Sequence, residues 1–439
     1  MLKFCVNYGV QLNIEMKNKS LNSIVKNTKK FIKVFMKILQ LSPQFPFPAD
    51  DGGRIAIANI TKEFAKAGHE VTLFCLENKP PIPTELHDAQ RHAKIVLCNH
   101  STENTPLRIA AAALLPISIY MQKHIGSQIL KDITELMKRE KFDIIHADHS
   151  CMAIAAQFAQ KLAENTRQHL PIGLRLHNVE WIIWKRYAEN LPNNSTKQWF
   201  VARQARLLRE AEMKYYPQMD VCFAVSEKDK DEALHLSPST NVVIAPHGIT
   251  PDDWKTDESI IRNDKEIIIA TTYNWVHNVE GVRWFVEKVL PLVKAAVPEA
   301  HLTLIGKKPP QFFQEWLSLG VDVLGYVGRV QPYMNSAGVY IAPLFVGSGV
   351  RIKILEAMAM GLPVVATPIA REGIVAGETE GLYTAESAED FAKQVIYLLE
   401  NPNEARISGL AARAYTLENY TWKSSANIML DTYQRLIEL

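Results

Sequence analysis

The run Ala342-Pro343-Leu344-Phe345-Val346-Gly347-Ser348-Gly349-Val350-Arg351-Ile352-Lys353-Ile354-Leu355-Glu356-Ala357-Met358-Ala359-Met360-Gly361-Leu362-Pro363-Val364-Val365-Ala366-Thr367 reads as strand, glycine-rich loop, helix, glycine stop and strand. Two strands joined through a helix run parallel, with the helix covering one face of their sheet. The loop also carries chemistry. A glycine-rich segment feeding a helix N-terminus presents bare N–H groups and the positive end of the helix dipole, which suits a diphosphate. Lys353 and Glu356 lie three apart on one helical face, so a cation for phosphate oxygens and a carboxylate for a ribose diol can point into one site. Taken without the loop, the same two residues read as a surface ion pair.

Working outward, short apolar strands alternate with amphipathic helices from Lys37 to the end, which predicts an α/β fold with parallel sheets covered on both faces. The expected strands of the first half are Lys37–Leu41, Glu70–Cys75, Lys94–Cys98, Ile144–Ala147, Gly173–Leu176, Val221–Val225 and Val242–Ile244. Those of the second half are Ile267–Ala270, Leu302–Ile305, Val321–Leu324, Val339–Ala342, Val364–Ala366 and Leu382–Tyr383. With 439 residues the chain exceeds what one core supports, and two domains of roughly 200 residues are expected. The rhythm breaks between Gly248 and Asp264, and a fresh series starts at Glu266. The expected organisation is an extension over 1–35, an N-terminal domain over 36–250, a C-terminal domain over 251–418, and a helix over 419–439 packing back on the first domain.

A formal net charge of +2, with basic residues spread along the chain, argues against a nucleic-acid partner. Cys5, Cys75, Cys98, Cys151 and Cys222 lie far apart with no C-x-x-C pair, which fits a reducing cytosol better than a disulfide framework or a zinc site. The run Ile109–Met121 contains Pro116 and falls short of the about 20 residues a membrane span needs, so a buried core helix is expected there. Seven lysines between Lys17 and Lys37 alternate with Leu21, Ile24, Phe31 and Val34. That extension reads either as a disordered leader or as a basic amphipathic helix on an anionic membrane.

Three further constellations stand at strand ends. The loop from Ser42 to Arg54 carries Gly52 and Gly53 ahead of a helix expected over Ile55–Ala67. Those glycines either let bare N–H groups approach a substrate or make a turn needing positive φ. His177, between a strand and a helix, can hydrogen-bond a sugar hydroxyl or serve structure alone, and Glu180 can bind an acceptor or favour the helix N-terminus. His247 and Gly248, in Pro246-His247-Gly248-Ile249, read as hinge or ligand contact. No G-x-G-x-x-G appears, so a dehydrogenase reading loses its main support.

Together these residues resemble the retaining glycosyltransferases of family 4, which have the GT-B fold of two facing Rossmann-like domains with an interdomain cleft. The resemblance rests on Gly52-Gly53, Gly68-His69-Glu70-Val71, Val225-Ser226-Glu227, Pro246-His247-Gly248-Ile249 and, most specifically, the run from Leu355 to Thr367. It implies transfer from a nucleotide-diphosphate sugar, a co-substrate and not a cofactor, to a glycan or lipid-linked hydroxyl in cell-envelope or exopolysaccharide synthesis. The setting it implies is cytoplasmic, with peripheral contact at the inner membrane face. In the family the second glutamate of an E-x7-E pattern binds the donor ribose, a role that falls on Glu356. The first glutamate falls at Ser348, a departure that leaves the donor sugar open. Backbone N–H groups around Gly349, Val350, Arg351, Ile352 and Lys353 would hold the diphosphate. The family's Arg and Lys after the first strand of the second domain are missing from Thr271–Gly281, where Trp275, Asn278 and Gly281 form a W-x-x-N-x-x-G variant. Asn278 and Gly281 are then expected on phosphate from a helix start, and the missing charge falls to Lys353 or Arg351. These two point about 200° apart on an ideal helix, and Lys353 is the expected choice. No D-x-D stands where a metal would bridge the diphosphate, so no metal is expected. A nucleotide-sugar epimerase of the same shape and a non-catalytic binding protein are the rival readings.

Overall fold

The computed structural model describes residues 35–49, 51–165, 169–346 and 350–438. Residues 1–34 of the lysine-rich extension, and the loop residues Ser348 and Gly349, lie outside the described residues.

Strands β1 (Lys37–Ser42), β2 (Glu70–Glu77), β3 (Lys94–Asn99), β4 (Ile144–Asp148), β5 (Ile172–Arg175), β6 (Val221–Ala224) and β7 (Val242–Ile244) form a parallel sheet in the order β3-β2-β1-β4-β5-β6-β7. A second parallel sheet takes β8 (Asn263–Ala270), β9 (His301–Ile305), β10 (Val321–Gly325), β11 (Ala337–Ala342), β12 (Val364–Ala366) and β13 (Leu382–Thr384) in the order β10-β9-β8-β11-β12-β13. Both read as near-continuous apolar runs because helices cover both faces, and β4, β5, β6, β11 and β12 are buried along their whole length. Each sheet reverses its strand order once, between β1 and β4 and between β8 and β11. At such a reversal the flanking connections leave toward opposite faces, and a crevice opens beyond the carboxyl ends of the two strands.

Some boundaries differ from expectation for local reasons. Helix α1 (Gly52–Lys66) starts at Gly52 and not Ile55, because Asp51 caps it by accepting the Arg54 N–H at 3.0 Å. Neither Gly52 nor Gly53 has positive φ, so a turn requirement does not explain them. Strand β8 begins at Asn263, inside the expected break. Ile109–Met121 does not form a buried core helix. A helix spans Pro106–Leu114 with only Ala112 buried, held through its Ala112 carbonyl by Arg203 and Gln204, while Leu107 and Leu114 stand 80% and 82% exposed. Ala112 alone faces the protein, while the large apolar side chains Leu107 and Leu114 face out. Among the described residues no helix is long and apolar enough to cross a membrane.

The C-terminal helix, Trp422–Ile437, lies against the first sheet, with the Tyr433 ring 5.4 Å from Phe223 and 6.4 Å from Phe64. It arrives where the chain had left that sheet. Ile249 N–H donates to Tyr420 O at 2.9 Å and Trp422 N–H to Ile249 O at 3.2 Å. Gly248 does not have positive φ. It is a glycine because any Cβ would collide with the Thr421 and Trp422 backbone.

Candidate active site

The reversal in the first sheet gathers polar side chains that the apolar strands would otherwise exclude. Asp148 ends β4 fully buried, and its Oδ2 accepts Gln40 Nε2–H from β1 at 2.7 Å. Its Oδ1 lies 3.0 Å from His177 Nε2, 3.6 Å from His146 Nε2 and 3.8 Å from Arg175 Nη1. Burial alone would push this carboxyl up, but the N–H groups that His146 and His177 direct at it outweigh that and hold it well below the usual range. Burial, with His149 and Arg175 nearby, pushes the His177 imidazole well below its ordinary value against the pull of Asp148. His177 is therefore neutral at pH 7, and its contact with Asp148 is a hydrogen bond to a carboxylate and not an ion pair. Arg175 is lowered to about 10 by burial and stays a cation.

The residue after β4, His149, has φ 66° and ψ 148°, a region that side chains avoid at a cost of about 1–3 kcal/mol. Its ring stacks on His177 with centroids 3.8 Å apart, and its Nε2 lies 3.7 Å from where a Gly53 Cβ would stand. A Cβ on Gly53 would make only ordinary contacts there, and one on Gly52 would meet nothing within 4 Å, so neither glycine is needed for clearance. Glu180 opens helix α2 (Glu180–Glu189) with its carboxylate 3.6 Å from His149 Nδ1 and turned into the protein. The α2 N-terminus is served from helix α3 (Thr196–Tyr215) by Glu212, which accepts from Glu180 N–H at 3.2 Å and Trp181 N–H at 3.3 Å. Full burial raises that Glu212 carboxyl to about 8, against hydrogen bonds that lower it.

The reversal in the second sheet is built mostly of backbone. After β8 the chain turns into helix α4 (Val276–Trp284), and both donors of the Asn278 amide are taken, by Thr271 Oγ1 at 2.9 Å and Thr272 O at 2.6 Å. Both N–H groups of the Asn278 side chain thus shape this loop. Gly281 lies within α4, not at its start. It is a glycine because a Cβ would strike Pro343 O, so the helix presses directly on the loop after β11. That loop leads into helix α5 (Ile352–Ala359), whose first N–H groups have no partner within the helix. Val350 and Ile352 are buried, and the Val350 backbone faces His247.

Glu356 is buried and accepts Lys353 Nζ–H at 2.8 Å, while the lysine is 44% exposed. The ion pair exists, but it is not a surface pair, since its carboxylate lies inside. Burial raises the Glu356 carboxyl, and the lysine opposes that rise. Arg351 turns elsewhere. Half-buried, it holds its guanidinium in the field of Glu372, Arg186 and Asp229, on the side of the ion pairs that join the two sheets. Glu372, on the loop after β12, bridges to Arg186 of α2 at 3.4 Å and to Lys228 at 3.1 Å, so acidic and basic groups of the two sheets interlock beside the loop. His247 lies 5.6 Å from the His177 ring and 5.7 Å from Trp422, between the histidine cluster and Val350. The two reversals thus face one another across His247. Sequence reading missed Gln40, His146, Asp148, His149 and Tyr433; the available signal was polar residues inside buried strands, Gln40 within β1 and His146 and Asp148 within β4.

Two parallel sheets whose crevices meet, one holding a buried cluster of histidines around a carboxylate and an arginine and one a loop, a helix start and a buried carboxylate, have the architecture of a GT-B transferase. The chain belongs to glycosyltransferase family 4: residues 51–253 match the model described as Glycosyltransferase Family 4, and residues 265–401 the model described as Glycosyl transferases group 1. It is 22% identical over 399 residues, 88% of this chain and 97% of the other, to an uncharacterized 44.6 kDa protein in cps region of Klebsiella pneumoniae. In fold it is similar to sucrose-phosphate synthase from Thermosynechococcus elongatus, with a TM-score of 0.67, 16% identity and coverage of 92% and 99%. It is likewise similar to Anabaena HepE in complex with UDP and glucose, with a TM-score of 0.63, 15% identity and coverage of 91% and 100%.

Proposed function

We propose that this glycosyltransferase moves a hexose from a nucleotide-diphosphate sugar to a hydroxyl acceptor with retention of configuration, in the synthesis of a cell-envelope glycan. The observation that carries the reading is Glu356, a buried carboxylate one helical turn from Lys353 at the start of α5, beside the crevice of the second sheet. Glu356 takes the ribose hydroxyls, and Lys353, released from its ion pair, meets the diphosphate together with the first N–H groups of α5. The C1–O bond to the β-phosphate breaks, the acceptor oxygen bonds C1 on the same face, and the acceptor proton leaves with the phosphate. Negative charge grows on the departing oxygen, and each fixed donor aimed at it is worth about 3–4 kcal/mol by analogy with oxyanion holes. The reading needs no metal and takes place in the cytoplasm. Glycan synthesis is supported by the cps-region relative, and a nucleotide donor by the UDP in the Anabaena neighbour. Peripheral contact with the inner membrane face is supported by Leu107, Leu114, Leu115 and Trp199, all exposed around one helix and its neighbour.

Thermal-shift screening against UDP-, GDP-, ADP- and dTDP-sugars identifies the donor, since a ligand raises the melting temperature only by binding the folded state. With that donor, Glu356→Ala should weaken binding about 10- to 100-fold, the worth of one or two hydrogen bonds to a charged group. Unchanged affinity would sink the nucleotide site. Conversion of the donor alone, without acceptor, would instead identify an epimerase.

A further inference from the structure

We propose that Asp148 is a positioning residue of the transfer reaction, fixing the ring of His177 in the tautomer that carries its proton on Nε2. The inference takes up the first of the two roles open to His177 in the sequence, a hydrogen bond to a sugar hydroxyl, and with it the proposed transfer reaction. A carboxylate only accepts hydrogen bonds, so at 3.0 Å from Oδ1 the neutral ring must place its proton on Nε2 and keep Nδ1 as a lone-pair acceptor. That is the form able to receive the O–H of a sugar hydroxyl. Histidine can reverse this arrangement by a ring flip, and two features oppose the flip. His149, held at positive φ, covers one face of the ring at 3.8 Å, and Asp148 cannot turn because Gln40 holds its other oxygen at 2.7 Å. Gln40 is itself oriented by Thr61, whose hydroxyl donates to Gln40 Oε1 at 2.8 Å.

The chain of contacts extends behind Asp148. His146 Nε2 faces the Asp148 carboxylate from 3.6 Å, so its proton belongs on Nε2, and its Nδ1 then accepts the Tyr433 O–H at 2.5 Å. Arg175 offers a cation at 3.8 Å from the side of β5. Every neighbour of Asp148 is therefore a donor or a cation, and the carboxylate cannot be relieved by protonation without breaking the set. Three strands, α1 and the C-terminal helix converge to hold one oxygen beside one imidazole nitrogen.

The test needs no substrate at its first step. In long-range proton–nitrogen spectra of the full chain with labelled histidines, assigned by comparison with His177→Gln, wild-type His177 should show a protonated Nε2 and a bare Nδ1. A proton on Nδ1 overturns the proposal. Asp148→Asn should then lower kcat with the identified donor at least about tenfold while UDP affinity stays within about twofold. In a His177→Ala background the same change should have no further effect on kcat, because a positioning residue acts only through the group it positions. Additive losses, or full activity of a folded Asp148→Asn variant, overturn it as well. Failure of every nucleotide sugar of the thermal-shift panel to bind any form would count against the nucleotide site instead, and the wild-type spectrum would still decide the tautomer.

Discussion

The two reversal points of the sheets solve different recognition problems and are built differently. In the first, side chains from β1, β4, β5 and the C-terminal helix hold one another through fixed hydrogen bonds. In the second, backbone from two loops is pressed together at Gly281 and Pro343, and one ion pair, Lys353 with Glu356, supplies the charge. A neutral sugar hydroxyl is recognised only by donors and acceptors already in place, because a misplaced partner leaves a buried polar group unpaired. A diphosphate is held by summed N–H dipoles and charge, which tolerate sequence change as long as the loop keeps its path. Side-chain changes should therefore act on binding and turnover at the second site, and backbone changes on its shape, while the first site should respond through buried protonation.

The largest expected effect breaks the second site's charge. Lys353→Ala should reduce kcat about 100- to 1000-fold, as loss of a donor at developing negative charge does elsewhere, and steady-state kinetics with the identified donor measure it. A loss smaller than tenfold would transfer the role to another cation.

Next comes the pH dependence of the first site's support. Glu212 has its folded value raised to about 8 from 4.5, so its contribution is fully present below about pH 4.5 and is lost as pH rises through 8. Between those limits the group costs about 1.4 kcal/mol of stability per pH unit. Glu212→Gln removes that slope, so denaturant unfolding from pH 5 to 8 should show the variant gaining on the wild type as pH rises. Parallel curves would mean that the carboxyl ionises normally.

The smallest effect separates shape from charge. Gly281→Ala should cost about 1–3 kcal/mol by forcing α4 off the Pro343 carbonyl, and should weaken nucleotide binding with it. Gly52→Ala, where a Cβ meets nothing, should change stability by less than about 0.5 kcal/mol. Thermal melts of the two variants side by side test the contrast.

What could be read beforehand follows the same division. The alternation of apolar strands and helices makes every strand of both sheets legible to within a few residues, because burial on both faces leaves a continuous apolar run. The second site is contiguous in sequence, with loop, helix start, Lys353 and Glu356 inside one short run, so its parts announce each other. The first site is assembled from distant segments: Tyr433 meets His146 across 287 positions, and no local pattern links them. Asp148 fell just beyond the expected end of β4 at Ala147 and carried no motif. Gln40, a polar residue inside an apolar strand, was the visible clue. Asn278 and Arg351 also hold local structure, Asn278 through two hydrogen bonds to Thr271 and Thr272 and Arg351 among the ion pairs of Glu372.

The segment leaving the first sheet at Ile249 and the segment returning at Tyr420 to Trp422 are stapled by two backbone hydrogen bonds. Any swing of one sheet against the other must turn about that staple, as a door turns on its pin. His247 lies two residues from that staple, and the bridge from Glu372 to Arg186 and Lys228 ties the two sheets together on the same side of the crevice.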